Sequence, residues 1–140
     1  MIQVQKAKSI IKNHIFPLEM ENVPLDQAEN RVLSQNVRAT FPMPRFDNSA
    51  MDGFAVRAVD TQGASQSQPV TLKMVSISSA GSPSEVTLRF GECIQCMTGA
   101  EIPAGADTVV MVEDTSGFSD TDSVQIFLEA HPGKHIRKKG

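Results

Sequence analysis

The sequence predicts a mainly β chain with N-terminal helices, its strands forming a compact, mostly antiparallel sheet domain. Three observations carry that prediction. Apolar residues recur at helical spacing only within residues 1–33. From Asp52 onward the spacing changes to two-residue alternation in short segments. Polar or Gly/Pro-rich stretches separate those segments at regular intervals with no helical pattern between them, so the crossover helices of a parallel α/β sheet are missing.

The totals agree. A chain of 140 residues is long enough for one domain with a core, or one domain plus an appended helical element. We divide it into a helical and linker region, 1–38, and a β domain with a basic C-terminal tail, 39–140. Hydrophobic residues make up 40% and aromatics 5%, with no Trp and no Tyr, so the core must be mostly Val, Ile, Leu and Met. A formal charge of −3, from thirteen basic and sixteen acidic residues, argues against a nucleic-acid partner. No run approaches the length of a membrane span and the N-terminus lacks a long apolar core. Cys93 and Cys96 are too few for a secreted disulfide framework. The chain reads as cytoplasmic.

In order along the chain, residues 1–16 place Val4, Ala7, Ile10, Ile11 and Ile15 at steps of three and four, with Lys6, Lys8 and Lys12 elsewhere. That is an amphipathic helix whose stripe must dock on another element or another chain. His14 has no His or Cys at ligand spacing and reads as a surface or boundary residue. Pro24-Leu25-Asp26 starts a second helical piece of one or two turns, with Asp26 as N-cap and Ala28, Val32 and Leu33 inward. Asn30 tolerates the left-handed conformation and marks a kink or C-cap. The predicted strands are 53–57, 70–76, 86–90, 92–97, 108–113 and 124–128. The tail Lys134-His135-Ile136-Arg137-Lys138-Lys139-Gly140 is either a solvated terminus or an anion-binding edge.

The chemistry concentrates in PMPRFDNSAMDGFAVR, residues 42–57. Pro42 and Pro44 keep this lead-in extended. Asp47, Asn48 and Ser49 can hydrogen-bond nearby backbone groups, and Gly53 can take a positive φ or admit a close neighbour. Asp52 is thereby held at the start of a strand. As hard oxygen ligands Asp47 and Asp52 suit Mg²⁺ shared with a phosphate, although turn chemistry accounts for Asp47 and Asn48 in full. Met97-Thr98-Gly99-Ala100 is an ordinary turn or, with its hydroxyl and free amides, an oxyanion cradle. Cys93 and Cys96 lack a second ligand pair for zinc. Three residues apart on a strand they point to opposite faces, so they read as buried structural thiols. No Gly-rich phosphate loop, HExxH or GxSxG is present.

FDNSAMDGFAVR (46–57), CMTGAEIPAGADTVVMVED (96–114) and PGKHIRKKG (132–140) resemble the N-terminal half of the MoeA-type molybdopterin molybdenumtransferases, the family that includes the E domain of gephyrin. PLDQAENRVLSQNV (24–37) is similar too, with Asn30 where the family usually has Gly. The resemblance implies a coiled or bifurcated β-sheet domain. It also implies an enzyme of molybdenum cofactor biosynthesis that transfers molybdenum from molybdate to adenylylated molybdopterin with Mg²⁺, working as a homodimer with no nucleic-acid or membrane partner. The Asp of the MDG triplet and the Thr of the MTG triplet map onto Asp52 and Thr98, as catalytic residues. Asp52 is also expected to be the metal ligand, and Ser49 and Gly99 are expected to bind cofactor. The family continues past the basic-Gly run into a pterin-binding α/β domain and a further β domain. These 140 residues are therefore expected not to turn over by themselves. The competing readings are a self-association or partner-docking module and a small oxyanion- or metal-binding domain.

Overall fold

The computed structural model describes residues 2–118 and 122–140 and resolves into two compact units, Met1–Arg38 and Ala39–Gly140. In the first, α1 spans Val4–His14. Its periodicity is as expected, but no residue of α1 is buried, and the stripe residues Val4, Ile10, Ile11 and Ile15 are exposed. His14 is exposed and donates from Nδ1 to the Ile10 carbonyl at 2.8 Å.

The second helical piece is shorter than predicted, a single 3₁₀ turn over Leu25–Gln27. Pro24, not Asp26, occupies the N-cap position, and no side chain caps the turn. Starting at Leu25 puts Asp26 inside the first turn, where its carboxylate is past the cap. Ala28 is half-buried, but Val32 and Leu33 point outward instead of inward. Asn30 adopts φ 61°, the left-handed conformation that its short polar side chain tolerates.

The described residues of the second unit contain seven strands. They are β1 (Asn48–Ser49), β2 (Gly53–Val56), β3 (Val70–Ser78), β4 (Glu92–Cys96), β5 (Thr108–Met111), β6 (Ser123–Ile126) and β7 (Ile136–Arg137). Five of them form a mixed sheet in the order β5-β2-β4-β3-β6, and β1 pairs with β7 in a separate two-stranded sheet. The pairs β2–β4, β2–β5 and β3–β6 are antiparallel; β3–β4 is parallel, with a register shift between Met74 and Ser76. The sheet is thus mostly antiparallel. Its parallel pair is joined through residues 79–91, which carry no helix.

The predicted strand 86–90 does not form. Of its alternating apolar residues only Leu88 is buried, while Val86 and Phe90 stay exposed. The Leu88 amide donates to the Ala104 carbonyl at 2.8 Å, and Gly105 (φ +88°) comes so near Leu88 that an added Cβ would lie 2.6 Å from its carbonyl oxygen. The segment is pinned side-on to a turn and has no ladder partner. The strand predicted over 108–113 ends at Met111, because Val112–Asp114 form a 3₁₀ turn whose first amide donates to the Asp52 carbonyl at 3.0 Å.

β2 is buried along its whole length and organises the core. Its alternation sends Phe54 and Val56 into a cluster with Leu72, Cys93, Val110, Val124 and Ile126, and Ala55 into a second cluster with Cys96, Ala100 and Val109. Cys93 and Cys96 therefore lie in different clusters, both free and buried. Burial pushes their thiols up, to about 12 for Cys93 and about 11 for Cys96. The sequence reading of two structural thiols on opposite faces holds.

Candidate functional site

The segment between β1 and β2 joins the two sheets and carries Asp52. Gly53 makes its position possible. Paired with Cys96 on one side and Met111 on the other, Gly53 lies so near β5 that a Cβ there would sit 1.9 Å from the Val110 carbonyl oxygen. Of the two roles open to this glycine, the structure uses the close approach; its φ is not positive. Asp52 is consequently fixed from behind: the next residue is locked between two strands, and its own carbonyl accepts from Val112.

Its carboxylate meets Thr98. The Thr98 amide and hydroxyl both donate to Asp52 Oδ1, each at 2.7 Å. Two donors on one oxygen favour the ionised form, so the Asp52 carboxyl is held below its usual value, the hydroxyl being the larger cause and the amide the next. Oδ2 has no partner among the described residues, and both Asp52 and Thr98 are exposed. The arrangement is an ionised carboxylate with one oxygen fixed and one open to solvent.

The other two predicted residues lie beside this pair in different ways. Ser49 is fully buried. Its hydroxyl donates to the Met51 carbonyl, its amide donates to the Ala100 carbonyl, and its carbonyl accepts from Gly99, both backbone bonds at 2.9 Å. Gly99 has φ +83°, and nothing within 4 Å would meet a side chain there. Of the two readings of Met97-Thr98-Gly99-Ala100 the structure takes the ordinary turn, and the amides of residues 98–100 are not free. Thr98 N–H serves Asp52, Gly99 N–H serves Ser49 and Ala100 N–H serves the Met97 carbonyl at 2.9 Å, so an oxyanion cradle of backbone amides does not form here.

Asp47 and the tail form a junction absent from the sequence reading. Asp47 Oδ2 accepts from the Lys138 ammonium and Oδ1 from the Lys139 amide, both at 2.8 Å, and these donors hold its carboxyl below the usual value, the Lys138 bond most of all. Asp47 therefore binds far along the chain rather than closing its own turn. The tail is neither free nor wholly solvated: β7 pairs with β1, Asn48 opposite Arg137 and Ser49 opposite Ile136. The Arg137 guanidinium reaches the Ala50 carbonyl at 3.5 Å. Asn48 is buried, and its Oδ1 has no partner. Asp60 also went unnoticed in the sequence. It is buried beneath Arg57, accepts from the Gly91 amide at 3.1 Å, and ties a 3₁₀ turn to the start of β4. Only its tertiary surroundings distinguish it from any other turn Asp.

Among the described residues no three His, Cys, Asp or Glu side chains converge as a metal site, and no helix is long and apolar enough to cross a membrane.

Comparison with known proteins places this geometry in context. The chain is 43% identical over 140 residues to molybdopterin molybdenumtransferase 2 of Mycobacterium tuberculosis strain CDC 1551, covering all of this chain and 34% of that protein. It is 40% identical over 124 residues to molybdopterin molybdenumtransferase of Staphylococcus aureus strain Mu50, covering 89% of this chain and 30% of that protein. The chain thus spans about a third of the length of these relatives. The crystal structure of the molybdopterin biosynthesis moeA protein from Pyrococcus horikoshii OT3 superposes with a TM-score of 0.80 at 32% identity, over 97% of this chain and 36% of that one. The family model of the MoeA N-terminal region (domain I and II) matches residues 2–140, and the chain belongs to that family.

Proposed function

We propose that this chain supplies one wall of the catalytic cleft of a molybdenum insertase, a transferase that moves molybdenum from molybdate to adenylylated molybdopterin. The observation that carries the reading is the Asp52–Thr98 pair, exposed and internally braced in a chain whose relatives are named molybdopterin molybdenumtransferases. Asp52 is the catalytic carboxylate, and Thr98 keeps it ionised and pointed. Gly99, with no side chain, leaves the surface next to Thr98 open to the cofactor. Ser49 acts from below, through its backbone bonds to that loop.

Mg²⁺ fits this arrangement in a limited way. Asp52 Oδ2 is one hard, anionic oxygen, and the described residues add no cage around it. That suits an ion which keeps several waters and shares its remaining positions with phosphate oxygens. Bound there, Mg²⁺ would neutralise charge on a pyrophosphate linkage. The chain's own contribution is to fix Oδ1, and so the direction of Oδ2. Molybdate is the substrate anion; Asp52 repels it unless a cation or water lies between them, which is why Asp52 is assigned to metal rather than to the anion.

The working form proposed is a cytoplasmic homodimer of longer subunits in which Asp52 and Thr98 face the partner's pterin-binding domain. Residues 1–140 alone then lack the opposite wall and do not turn over. Two experiments test this. The purified 140-residue chain with adenylylated molybdopterin, molybdate and Mg²⁺ should insert no molybdenum; turnover would overturn the one-wall reading. In a chimera joining residues 1–140 to the remaining two thirds of the M. tuberculosis relative, Asp52→Ala should lower insertion at least about a hundredfold, the scale of losing a preorganised charged group. Unchanged rates would remove Asp52 from the site.

A second reading rests on α1. Its exposed apolar stripe favours a self-association or docking role for residues 1–16. Sedimentation of the chain with and without these residues separates the two. An oligomer that becomes monomeric on deletion supports association through α1, and an unchanged mass removes it.

A further inference from the structure

Asp47 contacts two distant segments. Its carboxylate holds Lys138 and Lys139, while its backbone carbonyl accepts from the Ile102 amide at 3.0 Å. The ion pair by itself adds little stability: the Lys138 side chain is 69% and the Asp47 side chain 40% exposed, and pairs so placed contribute next to nothing in water. Its value lies in register. The β1–β7 ladder has only two residue pairs, too few to specify an alignment on its own. A slip of one residue would present Arg137 where half-buried Ile136 now packs against the Ala55–Cys96–Ala100–Val109 cluster. Only the observed alignment gives Asp47 both an ammonium at 138 and an amide at 139. The same alignment puts the His135 carbonyl opposite the Ala50 amide at 2.9 Å and the Gly140 amide opposite the Pro44 carbonyl at 3.3 Å.

The alignment is passed on. Ser49, opposite Ile136, is bonded to Gly99 and Ala100, and the residue before them is Thr98, which braces Asp52. We propose that Asp47 is a positioning residue for the Asp52–Thr98 pair, clasping the tail strand in the one register that holds Ser49, and through it the 98–100 loop, in place. The proposal rests on the reading of Asp52 and Thr98 as site residues, but its test involves no molybdenum chemistry, so either can fail while the other stands.

The test is amide NMR on the ¹⁵N-labelled 140-residue chain and its Asp47→Asn and Lys138→Met variants. In Asp47→Asn the Ala50 and Lys139 amides should exchange roughly five- to tenfold faster, as expected for a local opening. The Thr98 and Gly99 resonances should shift, while Ala55 in β2 and Ile94 in β4 keep theirs. Lys138→Met leaves the Lys139 amide bond intact and should give the same pattern at smaller amplitude. Thr98 and Gly99 resonances unmoved in Asp47→Asn would overturn the proposal. So would a change spread equally over β2, β4 and β5, which is what a merely structural role produces. Should Asp47→Asn fail to fold, Lys138→Met decides by the same two outcomes.

Discussion

Replacing Gly53 with alanine tests whether the position of Asp52 is set by backbone fit. The new methyl would lie 1.9 Å from the Val110 carbonyl oxygen, 2.9 Å from its carbonyl carbon and 3.0 Å from Met111 Cα. All three are backbone atoms of β5, so no side chain can swing away. Contacts of this kind are essentially never closer than 3.0 Å, so the two strands must part by at least 1.1 Å where β2 is paired on both edges. Overpacking of that sort costs about 1–3 kcal/mol, and the strained ladder bonds between β2 and β5 bring the expected loss to about 3 kcal/mol. For a domain near 100 residues that lowers Tm by roughly 12–24 °C. With no Trp or Tyr to report by fluorescence, far-UV circular dichroism in urea is the assay. Gly63→Ala is the control. Its φ is +76° but nothing lies within 4 Å of the added methyl, so only backbone strain of about 1 kcal/mol applies. Equal losses in the two variants, or a Gly53→Ala loss below about 1 kcal/mol, would refute the argument from close approach.

Thr98→Val removes the larger of the two donors on Asp52 Oδ1, so the Asp52 carboxyl should titrate higher than in the parent; Thr98→Ser should keep the parent value, both read from the carboxyl carbon by NMR. Asp47 and Asp52 both titrate below the ordinary 3.8 in the folded state, so their contribution is present above that pH and is lost as pH falls through the lowered values. Urea midpoints should therefore fall below about pH 4, and the fall should shrink in an Asp47→Asn, Asp52→Asn double variant. With thiols pushed up to about 12 and about 11, Cys93 and Cys96 should resist a thiol reagent at pH 8 in the folded chain and react readily in urea; fast native labelling of either would contradict their burial.

What the sequence made legible follows the range of the interactions. Periodicity located α1, β2, β3, β4, β5 and β6 to within a few residues, because a helix stripe or a two-residue alternation is a local pattern. The reading failed where geometry depends on a distant partner. Val86–Phe90 alternates as a strand should, yet the chain offers Leu88 a turn at Ala104–Gly105 instead of a free edge. β1 and β7 have two residues each, too short to leave any periodicity, and they are nearly ninety positions apart. Asp47 looked like turn chemistry because its true partners, Lys138 and Lys139, looked like a tail. The Asp52–Thr98 pair was visible only through family resemblance, since nothing in either triplet announces a bond across 46 positions. The choice between turn and cradle at 97–100 was not open to local reading for a similar reason: Ser49, which occupies the Gly99 amide, is itself placed by the tail.

Gly140 shows another consequence of that tail. Its amide bonds to the Pro44 carbonyl, and a Cβ on it would come within 2.5 Å of the Met43 carbonyl oxygen. Residues 44–140 thus begin and end at one doorway, the outgoing strand lying against the incoming one. A module built this way can be carried as an insert in a larger chain, because the surrounding protein has to bridge no gap to go around it. The same doorway links any displacement of residues 136–140 to Asp47 and Ser49, two steps from the carboxylate on which the proposed chemistry depends.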